Sequence, residues 1–358
     1  MYFSIFVSVS GQKKHITIHD IARELGISAS TVSRALKDNP RISKRTRETV
    51  QRLALSHQYM PNQMASNLRK GKSNTVGVIV PNVNRSFFSH IIDGVEQVLS
   101  AAGYNLMICQ SFEKLNKEKE ALNTLFNARV DGILMSLSME TDTYGHIEEI
   151  ANRNMKMVFF DRIPVSMNVA SVIIDDYHAA LKVTSHILSR GCRYPAHIGG
   201  SSQINVYGNR QMGFRDALLE NQIPIDERYI IETDMTREGG MKAFEQLMKL
   251  SPRPDAVMCS GDLTAHGVMI AAEKMGLRIP YDLTVSGFAN EEFTAHITPP
   301  LTSVDQKGAL IGHEVAKLFL ENEDPNVKKQ IIIEPDVKLR QSTAYRVQTS
   351  TSKNFTKP

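Results

Sequence analysis

Beyond residue 75 the chain carries a series of short, continuous apolar runs, and these limit its fold more than any other feature. VGVIV (76–80), NLMIC (105–109), GILMS (132–136), MVFFD (157–161), SVIID (171–175), AHIGG (196–200), YIIET (229–233), AVMCS (256–260) and LTVSGF (283–288) do not alternate apolar with polar residues. A strand with one wet face alternates, whereas a strand covered on both faces does not. Between the runs lie amphipathic segments that predict helices near 88–102, 116–129, 144–153, 177–190, 207–221, 237–250 and 263–276. Apolar strands alternating with helices imply parallel sheets covered on both sides. Nine strands suit two doubly wound domains better than one, with the division near Asp175. Ligands of such sheets sit outside the carboxyl ends of the strands. That rule points to Pro81–Phe88, Asp161 and Arg162, Gly199 onward, Asp262, and Phe288 onward.

The segment from Ile16 to Met60 has a different texture. Ile18, Ile21, Ala22 and Leu25 fall at helical spacing, as do Val32, Ala35 and Leu36 a few residues later. Gly26 is a natural stop for the first helix and Ser28 a natural N-cap for the second. Two short helices joined by a tight glycine-bearing turn are the helix-turn-helix geometry. A third helix follows Ser43, with Val50, Leu53 and Ala54 facing inward. Residues 61–74 are polar and basic, with too few apolar residues to fold alone, and read as a linker with a short helix over 63–68.

Charge separates the same regions. Residues 1–72 hold 13 Lys and Arg against 4 Asp and Glu, a net of +9, while the remainder holds 29 against 34, a net of −5. A basic head on a mildly acidic body is expected where one part meets a polyanion and the other does not. In the second helix Ala29, Ser30 and Arg34 lie away from Val32, Ala35 and Leu36, so they are free to read base edges in the major groove of double-stranded DNA. An arginine can fork onto a guanine, a serine can bond either way, and an alanine methyl can meet a thymine methyl. Thr17, Ser28, Thr31 and Ser33 suit phosphate contacts that fix register. The alternative is a helical hairpin with a solvated basic face.

Cys109, Cys192 and Cys259 are odd in number, far apart and set in apolar runs or beside glycine, which suits small buried hydrophobes and not disulfides or metal ligands. No apolar run is long enough to span a bilayer. The opening MYFSIFVSVS lacks a cationic start and a small-residue cleavage site, so it reads as a disordered or mis-started extension and the chain as cytoplasmic. There is no Gly-x-Ser-x-Gly elbow, no phosphate-binding GxxxxGK[ST] loop, no well-placed GxGxxG after VGVIV and no HExxH pair. Asp175 and Asp176, read as extended chain, point to opposite sides and form no acid/base pair. Neither an enzyme nor a cofactor is expected.

ITIHDIARELGISASTVSRAL followed by PNQMASNLRKGKSNTVGVIVPNVNRSFF resembles the LacI/GalR family of bacterial repressors. The likeness continues through VDGILMS, VFFDR, NRQMGF, CSGDLTAHG, TVSGF and PPLTSVDQ, covering about residues 16–345. It implies an all-α helix-turn-helix headpiece, a hinge helix, and an α/β core of two doubly wound parallel-sheet subdomains like those of periplasmic sugar-binding proteins. The implied partners are a palindromic operator, bound as a homodimer, and a small sugar-like effector. The implied layout is an extension at 1–15, a DNA-binding domain at 16–60, a hinge at 61–74, a core at 75–345 and a tail at 346–358. Within the core, one subdomain takes 75–173 and 306–334 and the other takes 174–305 and 335–345.

Family hinges wedge a paired leucine into the minor groove, and Leu68 matches it here, with Asn62 and Ala65 at further hinge positions. An apolar wedge between base steps costs a few kcal/mol of unstacking and permits a bend that adds contacts. Ser66 stands where the family usually has Arg, removing one cation per subunit. A passive linker with an incidental leucine is the other reading.

In the core, Asp161, Arg162, Arg210 and Asp262 match positions at which the family holds its ligand, as does Gln306 in the crossover SVDQ. Carboxylates and a guanidinium fork suit sugar hydroxyls, although a structural ion-pair network fits the same residues. Phe87 and Phe88, after Asn82 and Asn84, and Phe288 offer aromatic faces for a pyranose, or simply core packing. Two departures from the family pattern, Gly261 for Asn and Ala289–Asn290 for Asp-Asp, leave the effector's identity open. A periplasmic-type sugar-binding transport protein would share the core alone.

Overall fold

The computed structural model describes residues 16–59, 72–321 and 329–344. The expected hinge residues Asn62, Ala65 and Leu68, the extension and the tail lie outside them. The chain divides into two compact units between Lys72 and Ser73.

The first unit holds three helices, α1 (Ile18–Glu24), α2 (Ala29–Leu36) and α3 (Lys44–Ser56). Thr17 and Asp20 form a reciprocal capping box at the start of α1. Gly26 takes φ +64°, the left-handed conformation that ends the helix and that glycine adopts without strain. Ser28 and Ser43 cap α2 and α3 by accepting from Thr31 N and Thr46 N. The apolar stripes of the three helices meet in a small core of Ile21, Ala22, Val32, Ala35, Val50 and Ala54, with Leu53 packed half-buried against it. Burying each large branched side chain contributes roughly 1.5–3 kcal/mol.

The second unit begins with β1 (Thr75–Val80), α4 (Ser86–Ala101), β2 (Asn105–Gln110), α5 (Leu115–Asn127), β3 (Gly132–Met135), α6 (Gly145–Ala151), β4 (Met157–Phe160) and β5 (Ser171–Ile174). Then come α7 (Asp176–Ser189), β6 (Pro195–Gly199), α8 (Asn205–Glu220), β7 (Ile230–Glu232), α9 (Arg237–Leu247), β8 (Ala256–Cys259), α10 (Asp262–Lys274) and β9 (Thr284–Ser286). The last elements are β10 (Ser303–Asp305), α11 (Gly308–Glu321), β11 (Gln330–Ile333) and β12 (Asp336–Lys338). The first sheet runs β11-β5-β4-β3-β1-β2 and the second β7-β6-β8-β9, every pairing parallel. Antiparallel β10 and β12 join where the chain crosses between the lobes. Strand order reverses at β1/β3 in one sheet and at β6/β8 in the other, so the loops leaving those strands diverge and open a crevice.

The nine apolar runs are all strands. Asp176 is different from its expected setting, because the chain is not extended there: Asp175 caps α7 and Asp176 is its first residue. The crossing SVD is strand β10, whereas α11, β11 and β12 were not anticipated. In α11 the glycines that weaken the local helical signal are required by packing. A Cβ on Gly312 would stand 2.2 Å from Ile91 O, and one on Gly94 of α4 would stand 2.3 Å from Ala309 O. The two helix backbones therefore approach more closely than any larger residue permits. Cys192 and Cys259 are buried, Cys109 is half-buried, and none of the three forms a disulfide.

Candidate DNA-binding and effector-binding sites

In the first unit the expected DNA-contacting residues gather at the starts of α1 and α2. Thr17 Oγ1 donates to Asp20 Oδ2 at 2.7 Å. Ser28 Oγ accepts from Thr31 N at 3.1 Å and lies 2.8 Å from the hydroxyls of both Ser30 and Thr31. These hydroxyls are organised before any ligand arrives. Ser30 and Arg34 are exposed, and Thr31 and Ser33 are half-buried. Arg34 enters no ion pair among the described residues, so its guanidinium fork remains available. Ala29 departs from the expected free position: it packs half-buried against the three-helix core. Only part of its surface can meet a base.

In the second unit a cavity of about 420 Å³ lies between the two sheets, within the range usual for small-molecule sites. All nine expected effector residues line it: Asn82, Phe87, Phe88, Asp161, Arg162, Arg210, Asp262, Phe288 and Gln306. They come from the loop after β1, the first turn of α4, the end of β4, helix α8, the start of α10, the loop after β9 and the crossover.

Two guanidinium groups organise the cleft. Arg162 donates from Nη1 to Glu113 Oε2 at 2.6 Å and from Nη2 to the Tyr207 hydroxyl at 3.0 Å. Burial opposes its charge, but Tyr207, Glu113 and Asp161 around it outweigh that effect and hold the group protonated. Its Nε is buried without a hydrogen-bond partner. Arg210 donates from Nε to Asp176 Oδ1 at 2.7 Å and from Nη1 to Ser260 O at 2.8 Å. Nη2 makes no hydrogen bond among the described residues, and Arg210 lines the cavity. The Arg210 guanidinium also stacks 3.7 Å from the centre of the Phe288 ring, so one face of that ring is already covered. Phe87 and Phe88 are tilted 56° to each other at 5.1 Å and are both buried, so they serve the core and the cleft wall together.

The carboxylates divide into two kinds. Asp161 takes one long bond of 3.4 Å from Ser136 Oγ, and burial raises its pKa above the ordinary carboxylate value against the pull of Arg162 and Arg210. Both Asp262 oxygens are engaged, Oδ1 by Ser303 Oγ at 2.7 Å and Oδ2 by Glu291 N at 2.8 Å. Burial still pushes Asp262 up to about 6. It ties α10 to the crossover as well as facing the cavity. The Gln306 side chain is buried yet makes no hydrogen bond among the described residues.

Sequence reasoning missed Glu113, Met139, Tyr207, Asp234, Met235 and Glu291, which share the lining. The strand-end rule, applied after β2, β3 and β7 as well, would have flagged Glu113, Met139, Asp234 and Met235. Tyr207 stands three residues before Arg210 and therefore shares its face of α8. Asp176 was set aside as half of an acid pair, but it is the buried counterion that holds Arg210. A group of His, Cys, Asp and Glu able to hold a metal ion is absent among the described residues.

Both units are similar to known proteins. Residues 17–62 match the profile described as bacterial regulatory proteins, lacI family, and residues 73–343 that of periplasmic binding proteins and sugar binding domain of LacI family. Catabolite control protein A of Priestia megaterium is 31% identical over 336 residues, covering 92% of this chain and 99% of its own. The HTH-type transcriptional repressor PurR of Photorhabdus laumondii is 31% identical over 307 residues, covering 85% of this chain and 89% of its own. The lac repressor dimer bound to operator and the anti-inducer ONPF superposes with a TM-score of 0.82 at 23% identity, covering 92% of this chain and 99% of that one. With both profiles spanning nearly the whole described chain, this protein belongs to the LacI family of bacterial regulatory proteins and is a DNA-binding transcriptional regulator.

Proposed function

We propose that the chain represses transcription in the cytoplasm as a homodimer, binding a palindromic operator through residues 16–60 and a sugar-like effector in the cleft, without catalysis. The observation that carries the effector reading is the convergence of nine residues, spread from Asn82 to Gln306, on one cavity whose Asp161, Arg162, Arg210 and Gln306 retain unused polar capacity. A polyol needs donors and acceptors matched in this way when it is buried.

On DNA, Ser30 and Arg34, with part of Ala29, read bases. Thr17, Ser28, Thr31 and Ser33 hold phosphates, and Asn62, Ala65 and Leu68 complete the contacts from the hinge. The dimer surface is assigned to β2, an edge strand of the first sheet that exposes Met107 and Ile108. An unpaired apolar edge of this kind calls for a partner. The effector works by binding one of two core conformations better than the other, and the shift cannot exceed that difference in affinity. A transport reading would account for the cleft but leaves the helix-turn-helix unit without a role.

Thermal-shift screening of the full chain against sugars, sugar acids and sugar phosphates tests the effector class, because a ligand of the folded state raises its stability. A hit should also change the chain's gel shift on its own upstream DNA. A stabilising ligand that leaves the gel shift unchanged would sink the regulatory coupling.

A further inference from the structure

One contact bridges the lobes beside the cleft and is independent of any recognised ligand. Arg85, the residue before α4, supplies no side-chain cap for that helix. The cap comes from the opposite lobe: Glu291 Oε2 accepts from Ser86 N at 3.2 Å and from Ser86 Oγ at 2.5 Å, across a sequence separation of 205 residues. A carboxylate at a helix N-terminus satisfies otherwise orphaned N–H groups and meets the positive end of the helix dipole.

Glu291 is presented from a rigid platform. Ala289 N donates to Val304 O at 3.0 Å and Asn290 N to Ser303 Oγ at 2.9 Å. Asn290 Oδ1 accepts from Arg340 Nη2 at 2.6 Å, and Glu291 N donates to Asp262 Oδ2 at 2.8 Å. Ala289 and Asn290 are held at φ +120° and +52°, a region that L residues rarely adopt. Bonds to three separate segments keep this strained turn in place, and its result is to aim the Glu291 carboxylate across the cleft. Other polar bridges between the lobes carry no helix cap: Asn205 to Asp161 O and to Ile163 N and Arg162 to Tyr207 gather at the end of β4, while Lys182 to Glu334 and Lys307 to Asp336 are ion pairs near β11 and β12.

We propose that Glu291 is an interlobe latch: by capping α4 from the opposite lobe it holds the core closed without a ligand and sets the open-to-closed balance on which an effector must act. Its role is positioning, and it acts through Ser86 and α4.

The test measures the distance between spin labels on exposed Lys119→Cys of α5 and Lys242→Cys of α9 in the full chain. The half-buried Cys109 is replaced by serine, and labelled subunits are diluted into unlabelled protein. Glu291→Ala should add a longer-distance population and raise the open-to-closed ratio about tenfold, the scale of a hydrogen bond to a charged group. Ser86→Ala should do the same to a smaller extent, and the two should be less than additive together. A purely structural role for Glu291 would lower the melting temperature without moving the distances. A folded Glu291→Ala whose distribution overlays the parent overturns the latch; if that variant does not fold, Ser86→Ala and Glu291→Gln decide by the same readout. Neither DNA nor effector is present, so this result stands or falls apart from the regulatory reading.

Discussion

The helix-turn-helix unit and the cleft both hold polar side chains ready for a ligand, but they do so over different distances along the chain. In the first unit Ser28 is bonded to Ser30 and Thr31, and Thr17 to Asp20, all within three residues, and Ser30 and Arg34 stand in solvent. In the cleft Arg210 meets Asp176 across 34 residues, Asp262 meets Ser303 across 41 and Arg162 meets Glu113 across 49, all substantially buried. The first kind of site is preorganised by local capping and loses little when one member is removed. The second is preorganised by the whole fold, and removing one member strands a buried partner. Perturbation should therefore cost stability in the cleft and specificity in the headpiece.

The largest expected effect comes from Arg210→Ala, which leaves Asp176 buried and uncompensated. Breaking such a pair costs about 3–5 kcal/mol. Denaturant unfolding should show the core transition destabilised by that amount, and a loss under 1 kcal/mol would mean that the cleft tolerates substitution as the headpiece does.

Next is the pH dependence of Asp262. Its folded carboxyl is raised by burial to about 6 from 3.8. The stability it contributes is therefore full below 3.8 and is lost as pH rises through about 6, amounting to about 3 kcal/mol by neutral pH. Asp262→Asn should flatten the stability profile of the core across that window relative to the parent. Parallel profiles would show that Asp262 does not titrate there.

Arg34→Ala should leave unfolding nearly unchanged while costing about 1–3 kcal/mol of discrimination at one base pair in each operator half-site. Affinity measured on single-base operator variants checks this, and uniform weakening on every sequence would reassign Arg34 to phosphate. The smallest effect is that of Ser28→Ala, about 1 kcal/mol of headpiece stability from the lost cap, read by thermal melting followed through helix signal.

Legibility divides along the same line. The helix boundaries at Gly26, Ser28 and Ser43 were readable because each cap is a bond to a residue three positions away. The nine buried strands were readable because covering on both faces leaves an unbroken apolar run. Resemblance to a family supplied the cleft residues one position at a time, and the strand-end rule supplied their neighbourhood. Other features had no local signal. Helix α11 hides behind glycines that exist for its contact with α4, and Asp176 reads as half of a useless acid pair until α7 begins at it.

From the chain alone came the division into a basic helical head and a doubly wound core, since hydrophobic period, capping residues and charge are properties of neighbours in sequence. Only the tertiary structure decided which carboxylate serves which guanidinium, that Arg210 covers Phe288, that both Asp262 oxygens are engaged, and that Glu291 caps a helix of the other lobe. Those pairings join residues dozens to hundreds of positions apart, and burial, which gives them their strength, exists only once the sheets have closed around them.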